Sequence, residues 1–178
     1  MLKNKIKILA VSGSLRANSS NAVILNAIEK MLPPEIEFFI YKGLGDLPHF
    51  NDAEEPSITV NVWRKHLLDT DAVLICTPEY AFGVPGSLKN ALDWTVGSGE
   101  LVNKPLALIT ASTAGDRAHA AFLQIFTALS AKIPDGAALL ISYVRSKLNA
   151  EGHITDVPTK DAIQSVLNNL IAYVQQEQ

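Results

Sequence analysis

A chain of 178 residues, 48% of them hydrophobic, can bury one sizeable core but not two comfortable ones, so a single domain is expected over residues 1–178. Its formal charge of -3, with Lys and Arg scattered along the chain, gives no footprint for nucleic acid or an anionic membrane surface. No apolar segment approaches the roughly 20 residues that cross a bilayer, and the run Ile6 to Val11 is too short and lacks the cleavage site of a signal segment, so a soluble cytoplasmic protein is expected.

In chain order, apolar runs bounded by turn signals occur at Lys7 to Val11, Ile36 to Tyr41, Ala72 to Cys76, Leu106 to Thr110 and Ala138 to Ser142. Each has the length of a strand buried on both faces. Helical spacing follows the first run at Val23, Ile24, Ala27, Ile28 and Met31, and the fourth at Phe122, Leu123, Ile125, Phe126 and Leu129. A last helix is predicted from about Thr159, with Pro158 just before it and an apolar stripe from Ile163 to Val174. Gly43 to Pro48 and Asn51 to Pro56 read as loops, because their glycines, prolines and acids defeat either period.

Strands alternating with helices predict an α/β fold with a parallel sheet, since parallel neighbours require crossovers and those are right-handed. Five strands in this sequence make the flavodoxin-like three-layer sandwich, strand order 2-1-3-4-5, the simplest arrangement. Its switch point lies between strands 1 and 3. The loops leaving those two strands should therefore face each other across a crevice.

The first of these loops, Ser12 to Asn21, places four serines, two asparagines and Arg16 just before a helix start. Free backbone N–H groups, hydroxyls and a planar guanidinium are the chemistry of a phosphate site. The same residues would equally serve as a helix cap at Ser19 or Ser20 with a solvated Arg16, and the loop alone does not separate the two readings. Neither G-x-G-x-x-G nor G-x-x-x-x-G-K-[ST] is present, which disfavours a dinucleotide Rossmann fold and a P-loop and leaves a mononucleotide phosphate as the better fit.

The second loop runs from Thr77-Pro78 through Tyr80 and Phe82 to Pro85-Gly86, where a helix begins that buries Leu88, Ala91 and Leu92. Two rings beside free backbone N–H groups suit a flat heterocycle. A turn with core aromatics would explain Phe82 and Trp94, but not the pairing with the first loop.

Gly13-Ser14-Leu15-Arg16 with Ser19 and Asn21, followed by Pro78-Glu79-Tyr80 and Pro85 to Trp94, closely resembles the NADPH-dependent FMN reductase family, which includes quinone, azo-dye and chromate reductases. Leu47-Pro48 with Phe50-Asn51-Asp52 resembles a weaker family loop between the two. The resemblance implies a flavodoxin-like subunit, dimeric or tetrameric, that binds FMN and reduces it with NADPH or NADH. It implies that Ser14, Arg16, Ser19 or Ser20, and Asn21 hold the FMN phosphate, and that Pro78, Glu79, Tyr80 and the adjoining Ala81 line the flavin ring. Ser112 and Gly115, in the loop after the fourth strand, are implied as a third contact. Two departures bear on the acceptor: Ala81 stands where many relatives have Asn, with Phe82 for a small residue, and Ala114-Gly115 replaces a Gly-Gly pair.

The implied acceptor is a small molecule such as a quinone, azo dye, free flavin or metal ion. No catalytic side chain is obligatory, since the redox chemistry belongs to the cofactor, and Glu79 is expected to serve the hydrogen bonding of its own loop. Two rival readings share the fold: an FMN electron carrier that does not react with NAD(P)H, and a flavin-free binding module. The four histidines, His49, His66, His119 and His153, have no metal-ligand spacing, so no metal site is expected, and Cys76 reads as a small buried hydrophobe.

Overall fold

The five apolar runs form β1 (Ile6–Ser12), β2 (Ile36–Tyr41), β3 (Ala72–Thr77), β4 (Leu106–Ala111) and β5 (Ala138–Ile141) of a computed structural model. The structure describes residues 5–52, 55–149 and 151–177. The start of the chain, and residues 53 and 54 of the stretch read as a loop, lie outside the described residues. All four pairings are parallel and the order is β2-β1-β3-β4-β5, as expected from the alternation of elements.

Every residue of β3 and β4 is buried. Strands sandwiched between two helical layers have no solvent face, so their sequences run apolar without alternation. Side chains nonetheless point alternately to the two faces. On one face Ile8, Ala10, Leu74, Cys76 and Ile109 pack against α1 (Ser20–Met31) and α5 (Val157–Glu177). On the other, Leu9, Val11, Val73, Ile75 and Leu108 meet α2 (Ile58–Leu68), α3 (Gly86–Asp93) and α4 (Asp116–Ala128). Each fully buried Leu or Ile contributes about 1.5–3 kcal/mol of burial, so these two cores hold the carboxyl ends of the strands rigidly in place.

Two local readings need correction. Gly43–Asp46 forms a short 3-10 helix that buries Leu44, so the apolar contact outweighs the two glycines there. The last helix starts at Val157, earlier than expected, and Pro158 lies inside its first turn. The Asp156 carboxylate accepts from the Thr159 N–H and hydroxyl, which makes Asp156 the cap, and proline is tolerated in a first turn because its N–H would have no helical partner.

Trp94 is a core residue of this chain: its ring is 2% exposed, its Nε1 donates to Pro48 O at 2.8 Å, and Phe50 packs edge-on against it.

Candidate functional site

The loop after β1 turns sharply because Gly13 sits against the end of β3. Its N–H donates to Cys76 O at 2.9 Å, and a Cβ there would collide with the Thr77 hydroxyl. Only glycine allows this approach. The chain then passes Ser14 and Arg16 to Ser19, whose hydroxyl accepts from Ala22 N at 3.1 Å and caps α1. Among the described residues, the backbone N–H groups of Asn18, Ser20 and Asn21 have no protein acceptor. These are the orphan donors of a helix start, with the positive end of its dipole.

A cavity of about 350 Å³ opens here, lined from the first loop by Ser14, Arg16, Asn18, Ser19, Ser20 and Asn21. The loop after β3 supplies Pro78, Glu79 and Tyr80, the end of β4 supplies Ala111, Ser112 and Thr113, and the turn after β5 supplies Val144 and Arg145. The two loops predicted to face each other do touch: the Ser14 and Tyr80 hydroxyls are 3.1 Å apart.

Asn21 is 2% exposed, and its carboxamide is engaged below the cavity, donating to Ala111 O at 3.4 Å and accepting from Cys76 Sγ at 3.3 Å. It ties the ends of β3 and β4 together. Cys76 is fully buried, and burial pushes its thiol far up from the usual range, so it is a neutral donor to Asn21 with no access to solvent.

Glu79 acts across loops instead of within its own. Its carboxylate accepts from Gly115 N at 3.3 Å and Ala118 N at 2.9 Å, while its backbone N–H donates to Ser112 Oγ at 3.2 Å. Gly115, the N-cap position of α4, has φ 101° and no side chain to cap with, so the helix takes its cap from the neighbouring loop. Gly115 therefore stands beneath the site as a hinge for that contact and does not line the cavity.

Ala81 also lies outside the cavity lining. Ala81 and Phe82 have φ of 48° and 59°, and the N–H and C=O groups of Tyr80 and Gly83 exchange bonds of 3.0 and 2.9 Å across them. This is a two-residue hairpin turn with both central residues left-handed, the geometry that favours Asn-Gly. The exposed Phe82 ring is covered by the Arg117 guanidinium, 4.5 Å from its centroid.

Of the residues nominated from sequence, nine of the eleven converge on one cavity: Ser14, Arg16, Ser19, Ser20, Asn21, Pro78, Glu79, Tyr80 and Ser112. Sequence reasoning did not nominate Asn18, Ala111, Thr113, Val144 or Arg145. Arg145 had a topological signal, since it follows β5, whose neighbour β4 already contributes a loop. Among the described residues, no three His, Cys, Asp or Glu side chains lie together as a metal site would require.

Residues 6–145 match the family described as NADPH-dependent FMN reductase, a span that contains every residue lining the cavity. The chain belongs to this family. It is 27% identical over 184 residues to a quinone reductase of Escherichia coli K12, covering 98% of each chain. An NAD(P)H-dependent FMN reductase of Pseudomonas aeruginosa is 29% identical over 181 residues, with 97% of each covered. Among solved structures, the flavoenzyme NAD(P)H:(acceptor) oxidoreductase FerB of Paracoccus denitrificans superposes with a TM-score of 0.77 at 26% identity, covering 96% of this chain and 98% of its own. Family membership makes the protein an oxidoreductase whose cofactors are FMN and NAD(P)H.

The residues present fit a flavin mononucleotide. The cavity volume falls within the roughly 300–1,000 Å³ of small-ligand clefts. Neither Arg16 nor Arg145 has an ion-pair or hydrogen-bond partner for its guanidinium among the described residues. The unpaired Arg16 guanidinium beside orphan N–H donors, with a tyrosine across the crevice, is the donor set of a phosphorylated aromatic ligand, and Arg145 brings a further unpaired charge to the cavity's edge.

Proposed function

We propose that this crevice binds FMN, with its phosphate among Arg16, Ser14, Ser19, Ser20 and the start of α1 at Asn21, and its ring beside Pro78, Glu79 and Tyr80, with Ser112 behind them. Ala81 and Gly115 shape the second and third loops around it. The protein would then be an NAD(P)H-dependent reductase in which bound FMN takes up a hydride and delivers electrons to a small acceptor such as a quinone, azo dye, free flavin or metal ion. The observation that carries this reading is the unpaired Arg16 guanidinium and the orphan N–H groups of α1 on one side of a cavity that has Tyr80 on the other.

The protein's own contribution is orientation and charge. Arg16 and the α1 terminus neutralise the phosphate. Glu79, by fixing the β3 and β4 loops to one another, holds the ring-side backbone still, so its donors need not reorganise as charge develops on the ligand. Tyr80, about half exposed, stands at the mouth where nicotinamide and acceptor must enter in turn. A cytoplasmic homodimer or homotetramer is the assembly we infer from membership of the family.

The test is oxidation of NADPH and of NADH by the FMN-loaded protein, with quinone, azo dye, ferric and chromate acceptors beside a control lacking acceptor. Turnover with at least one acceptor is expected. A protein that binds FMN but whose flavin neither nicotinamide bleaches would be a carrier, and this reading would be lost.

A further inference from the structure

The phosphate end of the crevice does not close. A second groove, of about 550 Å³, begins at Asn18, Ser20 and Arg145, which line both spaces, and continues along α1 past Val23 and Asn26, with Leu148, Asn149 and Glu151 completing its lining. A phosphomonoester beside Arg16 is already met by a guanidinium, hydroxyls and the N–H groups of a helix start. It does not need Arg145 as well. Arg145 brings a second permanent charge, free of any carboxylate partner among the described residues, to the threshold between the two spaces. Two forked cations in succession match two phosphates in succession.

Beyond that threshold the lining changes character. The groove is predominantly polar, with Asn26 and Asn149 offering carboxamides and Val23 and Leu148 a smaller aliphatic surface, a lining that suits a flat base read at its hydrogen-bonding edge. Glu151 is the groove's carboxylate. A carboxylate accepts from free ribose hydroxyls and repels a 2′-phosphate, which sets the adenosine of FAD, and equally that of NADH, apart from that of NADPH.

We propose that this groove takes the adenylate half of FAD, with Arg145 on the second phosphate, so that the protein accepts FAD as well as FMN. The inference rests on the reading that the flavin phosphate lies beside Arg16. It follows that truncating Arg145 discriminates between the two flavins, whereas truncating Arg16 weakens both.

Titrating the flavin-free chain with FMN and with FAD, read by flavin fluorescence, tests this without any turnover. The parent is expected to bind FAD within about tenfold of FMN, and Arg145→Ala to weaken FAD about tenfold more than FMN, the scale of a charged hydrogen bond. Val23→Trp, which fills the groove from the surface of α1, should likewise weaken FAD and spare FMN. FMN bound and FAD refused by more than about a hundredfold, or Arg145→Ala weakening both flavins equally, overturns the inference and leaves the FMN site standing. So does an Arg145→Ala protein with unchanged flavin preference but weakened binding of NADH or NADPH. A parent chain that takes neither flavin overturns both readings.

Discussion

The Ser14 hydroxyl lies 3.1 Å from the Tyr80 hydroxyl, so the loop leaving β1 touches the loop leaving β3 across the crevice. A neutral hydrogen bond of this kind is worth about 0.5–1.5 kcal/mol, against about 1.5–3 for one to a charged group. Arg16, whose guanidinium has no protein partner to give up among the described residues, should therefore dominate phosphate binding. Arg16→Ala is expected to raise the Kd for FMN about tenfold or more, and Ser14→Ala by less. Fluorescence titration checks the ranking, and an unchanged affinity in Arg16→Ala would remove Arg16 from the site.

Glu79 supplies the cap that Gly115 lacks, through Ala118 N at 2.9 Å and Gly115 N at 3.3 Å. Loss of a helix cap costs about 0.5–2 kcal/mol. Glu79→Ala is expected to lower stability by that amount in chemical denaturation, while Glu79→Gln, which keeps one acceptor oxygen, should lose less. If Glu79 also positions the ring-side loop, Glu79→Ala will change the reduction potential of bound FMN, a readout that loss of the cap alone would leave where it was.

Much of this was legible in the sequence for a specific physical reason. Strands buried on both faces write themselves as apolar runs, so Ala72 to Cys76 and Leu106 to Thr110 were visible without any partner, and their number and alternation gave the order. The donor-rich loop after β1 was visible because its donors are contiguous from Ser12 to Asn21. What stayed hidden depends on contacts distant in sequence. Glu79 meets an N-terminus 36 and 39 residues away, and Arg145 reaches the cavity only because β5 lies beside β4. The 3-10 helix at Gly43–Asp46 was hidden for the opposite reason: its local sequence favours a loop, and the burial of Leu44 overrides it.

His119 gives the fold a weak acid sensitivity. Its Nδ1 lies 2.9 Å from Thr110 Oγ1 under α4, and burial lowers its pKa from the ordinary 6.5. A base with a depressed folded pKa binds fewer protons folded than unfolded, so its contribution is intact above about pH 6.5 and is lost as pH falls below that, until the folded form is also protonated. Thermal melts from pH 7.5 to 5 should show a decline in Tm that is shallower in His119→Gln. Parallel curves for the two proteins would place the acid sensitivity elsewhere.

The turn at Ala81 and Phe82 holds two side-chain-bearing residues in the left-handed region, at φ 48° and 59°, where each costs roughly 1–2 kcal/mol. Phe82 recovers part of that cost from the Arg117 guanidinium 4.5 Å from its ring, an interaction of about 0.5–1 kcal/mol at exposed sites. Ala81 has no such contact. Ala81→Gly therefore relieves strain without losing an interaction, and a gain near 1 kcal/mol corresponds to a Tm about 2–4 °C higher for a chain of this size. Phe82→Gly should gain less, because it gives up the cation contact with the strain. A Phe82→Gly protein more stable than Ala81→Gly would mean that Arg117 does not hold the ring in solution, and that the aromatic at the tip of this turn is free to meet whatever enters the crevice.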